Sequence, residues 1–252
     1  MATSDSLKTT ATSVEIVLAL RDLDGATLTE LSEHLGRPKS TLHRHLSTLA
    51  EYDFVSADGG VYDVGFRFLE LGEHTLERRE AYRLAESPVR DLARETGERA
   101  QFVVEEHGEG VYLHVETGER AVRTGLSVGR RIPLHSTAAG KVVLAHLPEE
   151  RIDEVIEGTG LPPLTDGTIT DGDELRAELD RVADRGYAFN REENIEGLRA
   201  VAGPVTDGDE GLVGVLSVSG PSNRLKGEWY ESELPDLVLG SANELELRIA
   251  YA

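Results

Sequence analysis

The 252-residue chain contains no cysteine, which excludes disulfides, thiolate metal ligands and thiol nucleophiles. No apolar run approaches the ~18 residues that a membrane-spanning helix needs. The first twelve residues lack the basic and then apolar order of a signal peptide. We therefore expect a soluble cytoplasmic protein without membrane association. Apolar residues make up 39% of the chain, and this length suits one small and one ordinary domain.

Lysine is scarce as well: the chain has 4 lysines beside 22 arginines, and 47 acidic residues give a net charge of -21. An acidic, lysine-poor chain resembles proteins of salt-accumulating halophilic microbes. Carboxylates hold hydrated cations, and multimolar salt shortens the Debye length to ~3 Å, so self-repulsion is tolerated. We interpret the composition as halophilic, and an ordinary acidic protein of a low-salt cell is the alternative.

The N-terminal part of the chain predicts three helices and a β-hairpin. Thr27 or Thr29 can cap the second helix, Gly36 ends it, and Pro38 suits the first turn of the third helix. Apolar residues at helical spacing mark the three helices, namely Val14, Val17, Leu18 and Leu20, then Leu31 and Leu35, then Leu42, Leu46 and Leu49. A turn at 58–60 between the apolar runs 54–55 and 61–64 predicts the hairpin.

Two helices joined by a glycine-containing turn, with a hairpin after them, are typical of a winged helix-turn-helix that places its second helix in a DNA major groove. If the leucines of the third helix face the core, then Arg37, Ser40, Arg44 and Ser47 point outward, with His43 and Thr48 beside them. Such side chains can bind bases and phosphates. No acidic residue lies between positions 33 and 51.

Two other interpretations of this segment remain. A plain helical bundle would also show polar outer faces. A metal site would use His43 and His45, but residues two positions apart diverge on a helix, which disfavours such a site.

The remainder of the chain predicts an α+β domain with an antiparallel sheet. A charged amphipathic helix over 66–86 links the domains, and Pro88 marks a break before the next helix. We expect strands at 102–104, 111–115, 121–127, 186–190, 199–206 and 212–219, and helices at 136–147, 149–157, 171–185 and 232–250.

A stretch of this domain, residues 120–148, contains no acidic residue but holds Arg120, Arg123, Arg130, Arg131 and Lys141. Within it, small residues at 136–140 begin a predicted helix. Its exposed N–H groups at a positive dipole end suit a carboxylate or phosphate. The alternative is a strand and a helix packed tightly through alanine and glycine.

Catalytic signatures are missing from the sequence. The segment 214–220 reads GVLSVSG and lacks the spacing of a nucleophile elbow. No metalloprotease, phosphate-loop or dinucleotide pattern is present either. We therefore expect no catalytic residue, no metal site and no cofactor. A hydrolase, and a ligand-binding or oligomerisation module that does not bind DNA, are the rival interpretations.

Several segments together resemble the IclR family of transcriptional regulators. In the N-terminal part these are LTELSEHLGRPKSTLHRHLSTLAEYDFV and GVYDVGFRFLELG. In the C-terminal part they are RIPLHSTAAGKVVLAHLPEE, PLTDGTITDGDELRAELDRVADRGYAF, GLRAVAGPV and VLSVSGP. The resemblance runs in order from about residue 12 to residue 250.

The resemblance implies a winged helix-turn-helix over 1–72, a linker helix over 73–87 and a profilin- or GAF-like effector domain over 88–252. It implies an allosteric regulator that binds a palindromic double-stranded operator as a homodimer or a dimer of dimers. We assign DNA binding to Arg37, Lys39, Ser40, Thr41, His43, Arg44, Ser47 and Thr48. By resemblance, the effector site comprises Thr124, Leu126, Ala138, Ala139, Asn190, Ala200, Ser217 and Ser219.

Two effector positions depart from the family pattern, because many members have cysteine where Ala200 stands and some have an acid where Asn190 stands. Asn190 removes a negative charge and adds amide donors. Together with the acid-free stretch, this predicts an anionic or polyhydroxy effector such as a sugar acid or keto acid. Ser217 and Ser219, two positions apart on a strand, can present both hydroxyls to one side.

Overall fold

The computed structural model describes residues 7–122, 127–208 and 211–252. The chain divides into two compact units, Met1–Arg78 and Arg79–Ala252. The division lies within the predicted linker 73–87, and the predicted domain boundaries at 72 and 87 stay predictions. Within these described ranges, no helix is both long and apolar enough to cross a membrane.

The first unit is a winged helix-turn-helix, as the sequence predicts. Its elements are α1 (Lys8–Asp22), β1 (Ala26–Thr27), α2 (Leu28–Leu35), α3 (Lys39–Glu51), β2 (Val55–Asp58), β3 (Val61–Val64) and α4 (Arg67–Leu76). The strands form an antiparallel sheet in the order β1-β3-β2. The two-residue β1 was not expected, because Ala26 and Thr27 pair with Tyr62 and Val61, which lie 36 and 34 residues further along the chain, and so leave no local pattern.

Local sequence fixes the ends of α2. Thr27 forms a capping box, in which its side chain accepts a hydrogen bond from the Glu30 amide and Glu30 accepts one from the Thr27 amide at 2.7 Å. Gly36 ends the helix with φ of +62°, a left-handed conformation that glycine adopts without a steric penalty. The turn into α3 is therefore short and defined.

Apolar faces of the three helices meet in one core. The fully buried side chains of this core include Ile16, Leu20, Leu31, Leu42 and Leu46. Leu42 and Leu46 lie one turn apart on α3, so the opposite face of α3 is left to solvent.

The predicted single helix over 66–86 is wrong. The structure instead has α4, which ends at Leu76, and α5 (Glu80–Leu84). Between Leu76 and Ala81 the sequence has only charged residues, so no apolar stripe continues through this stretch. Pro88 is not a break either, because it lies in the first turn of α6 (Glu86–Thr96), where its missing N–H costs nothing.

The second unit is α+β. After α5 and α6 come β4 (Arg99–Glu106), β5 (Glu109–Thr117), β6 (Arg131–Ile132), α7 (Ala138–Ala145), α8 (Glu149–Thr159), α9 (Gly172–Arg185), β7 (Ala188–Arg191), β8 (Leu198–Thr206), β9 (Leu212–Pro221) and, after a π-helical turn Trp229–Glu233, α10 (Leu234–Ala250). The expected strand at 121–127 falls largely outside the described residues. The two-residue β6 was not expected.

The six strands form one antiparallel sheet in the order β6-β5-β4-β9-β8-β7. Alternation along β4 assigns its side chains to two cores. Phe102 packs with residues of α6 and α10 on one face. Val103 packs with residues of α7 and α9 on the other face. The helices therefore cover both faces of the sheet.

Candidate functional site

The outer face of α3 is the first candidate site. Seven of the eight residues predicted to bind DNA are exposed, and the eighth, Arg37, is partly buried; the exposed ones are Lys39, Ser40, Thr41, His43, Arg44, Ser47 and Thr48. They lie opposite the buried Leu42 and Leu46. The geometry therefore presents a continuous polar and basic surface of the kind that enters a major groove.

Some of these side chains already form hydrogen bonds to other residues of the protein. Arg37 donates to Glu15 Oε2 from Nε at 3.1 Å and from Nη2 at 2.6 Å. Lys39 Nζ donates to Thr29 Oγ1 at 2.8 Å. Arg44, in contrast, forms no side-chain hydrogen bond or ion pair with the described part of the chain. The Arg44 guanidinium is thus available to a partner, whereas the Arg37 guanidinium would have to leave the Glu15 carboxylate before it could bind a phosphate or base.

Helix α1 contributes to the same surface, which the sequence did not indicate. Ser13 Oγ lies 2.9 Å from His45 Nδ1. An open groove on this face is lined by Thr9 and Ser13 of α1 together with His43, Arg44 and other residues of α3. Only the packing of α1 against α3 brings these positions together.

The second candidate site is a pocket on the sheet face that α7 covers. Its floor is a row of side chains across neighbouring strands, since Arg99 pairs with Ser219, Ser219 with Ala200, and Ala200 with Asn190. Gln101 and Ser217 form the adjacent pair. The cavity volume of the pocket is about 20 Å³, which is room for about one water molecule, so a metabolite can enter only if the lining side chains move apart. It is lined by Arg99, Gln101, Tyr112, Ile132, Thr137, Ala138, Ala139, Asn190, Asn194, Ile195, Leu198, Ala200, Ser217 and Ser219.

Polar side chains of the floor bond to one another. Arg99 Nη2 donates to Ser219 Oγ at 2.9 Å. Gln101 Nε2 donates to Ser217 Oγ at 3.3 Å and to Ser219 Oγ at 3.2 Å. Burial lowers the pKa of Arg99, and the charge of Tyr112 opposes that shift. An arginine remains protonated in proteins, so this floor carries a desolvated positive charge.

The start of α7 lies at the edge of the pocket. Thr137 caps the helix by accepting a hydrogen bond from the Gly140 amide at 3.0 Å. Ala138 and Ala139 follow in the first turn and line the pocket. The first amides of a helix have no intrahelical acceptor and carry the positive end of its dipole. This end of α7 therefore favours negative charge.

Six of the eight predicted effector residues line this pocket: Ala138, Ala139, Asn190, Ala200, Ser217 and Ser219. Thr124 and Leu126 lie outside the described residues. Both polar atoms of the Asn190 side chain already form hydrogen bonds. Nδ2 donates to Ser136 O and Oδ1 accepts from the Glu193 amide, each at 3.0 Å. Asn190 thus shapes the pocket, and only one of its two amide protons remains for a ligand.

The sequence did not indicate Arg99 or Gln101. Both lie at the start of β4 and point to the same face as Val103, because they alternate with Ala100 and Phe102. Polar residues at alternate positions of an otherwise apolar strand were a usable signal. Their partners on β9 are more than 110 positions away, so only the fold shows that they meet.

The cations of the acid-free stretch that the structure describes do not line this pocket. Lys141 is buried and donates to both carboxylate oxygens of Glu193 at 2.8 Å. Arg131 pairs with Glu106, and Arg120 donates to Thr96 O at 2.7 Å. Two of the five cations in the stretch, Lys141 and Arg131, are thus paired with acidic residues from other parts of the chain. The described part of the pocket takes its charge from Arg99 instead.

The family models confirm the resemblance. Residues 73–246 match the model described as the bacterial transcriptional regulator IclR C-terminal domain, and residues 13–59 match the IclR helix-turn-helix domain. The chain belongs to the IclR family. It is therefore an IclR-type DNA-binding transcriptional regulator with a C-terminal ligand-binding domain.

Relatives and solved structures agree with this assignment. The chain is similar to the probable HTH-type transcriptional regulator ArcR of Halobacterium salinarum, with 35% identity over 95% of this chain and 92% of that protein. The Thermotoga maritima IclR structure matches with a TM-score of 0.83 and 28% identity, and covers 98% of this chain and 100% of that one. The inducer-binding domain of Acinetobacter PobR, a double mutant in complex with 3-hydroxybenzoic acid, matches with a TM-score of 0.60 and 30% identity over 65% of this chain and 96% of that chain.

Proposed function

We propose that this IclR-family regulator binds its operator through the outer face of α3 and responds to a small anionic effector in the α7 pocket. The buried guanidinium of Arg99 in that pocket is the observation that carries the effector class. Sugar acids and keto acids are the candidate effectors, and binding of either requires the pocket to widen beyond its present volume of about 20 Å³. Because the similar proteins are transcriptional regulators, we infer a regulatory and not an enzymatic role for the pocket.

On the DNA side, Arg44 is the strongest candidate for base recognition. It lies in the middle of the exposed face of α3, and its guanidinium forms no hydrogen bond or ion pair with the described residues. Ser47 and Thr48 instead donate their hydroxyls to the carbonyls of His43 and Arg44, at 2.8 and 3.2 Å. These serine and threonine oxygens keep acceptor capacity for a DNA donor, but their protons are used within the helix.

A gel-shift titration tests this assignment. The probe is the DNA upstream of the regulator's own gene, in multimolar KCl with nonspecific competitor. Arg44→Ala should weaken specific binding by about 1–3 kcal/mol, which is roughly 5- to 150-fold. Arg21→Ala is the matched control, because Arg21 is exposed on α1 and paired with Asp22. Equal effects of the two substitutions would place base recognition elsewhere.

For the effector, three features of the pocket favour an anion. Arg99 supplies a desolvated positive charge, the start of α7 supplies amides, and Ser219 Oγ accepts from Arg99 and from Gln101, which leaves its own proton for a ligand. The related PobR domain holds 3-hydroxybenzoic acid, which also carries a carboxylate. Calorimetry should detect binding of carboxylates. If only neutral aromatic compounds bind, the anionic class is wrong.

We also propose that copies of the chain associate through exposed apolar side chains of the first unit. Val14 and Leu18 on α1 are 54% and 44% exposed, and Phe66, Leu69 and Leu71 at α4 are 89%, 62% and 43% exposed. Val14 and Leu18 lie one helical turn apart on α1, and clustered exposed apolar side chains are typical of interaction sites. A two-fold pair would require a palindromic operator. Light scattering that gives a monomer mass at working concentration would contradict this proposal.

A further inference from the structure

The two polar atoms of the Gln101 side-chain amide differ: Nε2 forms hydrogen bonds with described residues, whereas Oε1 forms none. The residue is 3% exposed and lines the pocket. Its Nε2 donates to the oxygens of Ser217 and Ser219. Its Oε1 is buried and has no hydrogen-bond partner in the described part of the chain. Buried acceptors are nearly always paired in folded proteins, so this atom indicates a missing donor.

The surrounding hydrogen bonds determine which way the amide points. Ser217 gives its hydroxyl proton to the carbonyl oxygen of Val201 at 2.9 Å. The oxygen of Ser217 can then only accept from Gln101, which requires Nε2 on that side. Ser219 Oγ is likewise an acceptor, since Arg99 donates to it. Oε1 must therefore lie on the side away from the serines.

We infer that the effector is a hydroxy carboxylic acid whose hydroxyl donates a hydrogen bond to Gln101 Oε1. This inference rests on the proposed anionic effector, whose carboxylate would lie near Arg99 and the start of α7. A keto acid with the same carbon skeleton offers only acceptors at this position. It would leave Oε1 buried without a donor, and a site built around a buried acceptor discriminates strongly against such an analogue. Gln101 is thus a specificity-determining residue.

Ligand pairs that differ only at the hydroxyl test the inference. Isothermal titration calorimetry on the full chain in multimolar KCl would compare each enantiomer of lactate with pyruvate. It would also compare each enantiomer of mandelate with phenylglyoxylate. The first pair represents aliphatic acids and the second aromatic acids. We expect one hydroxy acid of at least one pair to bind at least 10-fold more tightly than its keto partner.

Two variants locate the preference. Gln101→Met keeps the approximate volume but removes the acceptor, and should reduce the hydroxy-to-keto ratio to about one. Asn194→Leu is the matched control, because Asn194 lines the same pocket. It should change both affinities together and keep the ratio. The fluorescence of Trp229 confirms folding of each variant, and the wild-type ratio decides the question if Gln101→Met does not fold.

Three results would overturn the inference. The keto acid of each pair could bind as tightly as its hydroxy partners, or the ratio could persist in Gln101→Met. Alternatively, none of the acids could bind to a protein that still retards its operator, which would refute the effector class but leave the DNA-binding function intact. Loss of operator binding by the wild-type chain would refute the proposed function separately.

Discussion

The substitution Lys141→Met tests how the pocket is held together. Lys141 is 1% exposed, and its Nζ bonds to both carboxylate oxygens of Glu193 at 2.8 Å and lies 3.7 Å from Glu178 Oε1. The two carboxylate side chains are only 11% and 14% exposed. Methionine preserves the packing of the aliphatic stem but removes the ammonium. The variant therefore leaves Glu193 buried beside another acid without its cation.

Removal of one partner of a buried ion pair costs about 3–5 kcal/mol. Glu178 is partly protected, because Arg185 and Arg181 still contact it at 2.8 and 3.0 Å. Burial raises its pKa, but Lys141, Arg185 and Arg181 together outweigh this and hold it below the ordinary value. The loss of stability should therefore come mainly from the buried Glu193 carboxylate. We expect the free energy of unfolding of the second unit to drop by about 3–5 kcal/mol.

The deficit should also depend on pH. Burial raises the pKa of Glu193, and Lys141 opposes that shift. Without the ammonium the folded-state pKa of Glu193 rises further. An acid whose folded pKa exceeds its unfolded value near 4.5 loses stability as the pH rises through the folded value. The deficit of Lys141→Met should therefore be larger at pH 8 than at pH 5.

Urea titration followed by tryptophan fluorescence measures this effect, because Trp229, the single tryptophan of the chain, lies in the second unit. With a slope of about 2 kcal/mol per M, the midpoint should shift by roughly 1.5–2.5 M. Lys226→Met is the control, since Lys226 is exposed. The double variant Lys141→Met/Glu193→Gln should recover much of the loss. A shift no larger than that of the control would refute the reasoning.

Two further predictions concern the second unit. Gly140→Ala should destabilise it by about 1–3 kcal/mol in the same urea assay, because the new Cβ would lie 2.2 Å from Leu134 O, whereas Gly158→Ala, with no atom within 4 Å, should be neutral or stabilising. Burial lowers the pKa of His135, and its hydrogen bond to Pro162 O opposes this. The contribution of His135 to the free energy of unfolding should therefore be fully present above pH 6.5, its unfolded pKa, and should be lost as the pH falls below that value. The free energy of unfolding should decrease more steeply below pH 6.5 in the wild type than in His135→Gln. An equal pH dependence of the two proteins would contradict this prediction.

Much of the first unit could be predicted from the sequence, because its determinants are local. The capping of α2 by Thr27, its end at Gly36 and the buried Leu42 and Leu46 follow from spacing over a few residues. The contribution of Ser13 to the outer face of α3 was not predictable, since it depends on how α1 packs against α3. The same limit explains the ion pair of Arg37.

The candidate effector pocket likewise combines features that the local sequence predicts with features that only the fold shows. The alternation that places Ser217 and Ser219 on one face is local and was predicted. The pairing of Arg99 with Ser219 depends on strand order, which no local pattern encodes. The charge count over 120–148 could not show that Lys141 and Arg131 are paired, because Glu193 and Glu106 come from outside the stretch. The anionic effector is nevertheless still favoured, now on the basis of Arg99.

A ring of polar contacts connects the stability of this unit to its pocket. The Asn190 side chain bonds both to the carbonyl of Ser136, just before α7, and to the amide of Glu193. The Glu193 carboxylate in turn accepts a hydrogen bond from Lys141 of α7, which closes the ring. Glu193 immediately precedes the pocket-lining Asn194. The ring thus positions both the start of α7 and the neighbouring loop, although Lys141 and Glu193 do not line the pocket themselves. Lys141→Met should therefore weaken effector binding but leave the hydroxy-to-keto ratio unchanged. A changed ratio would mean that the ring also orients the row of side chains that contains Gln101.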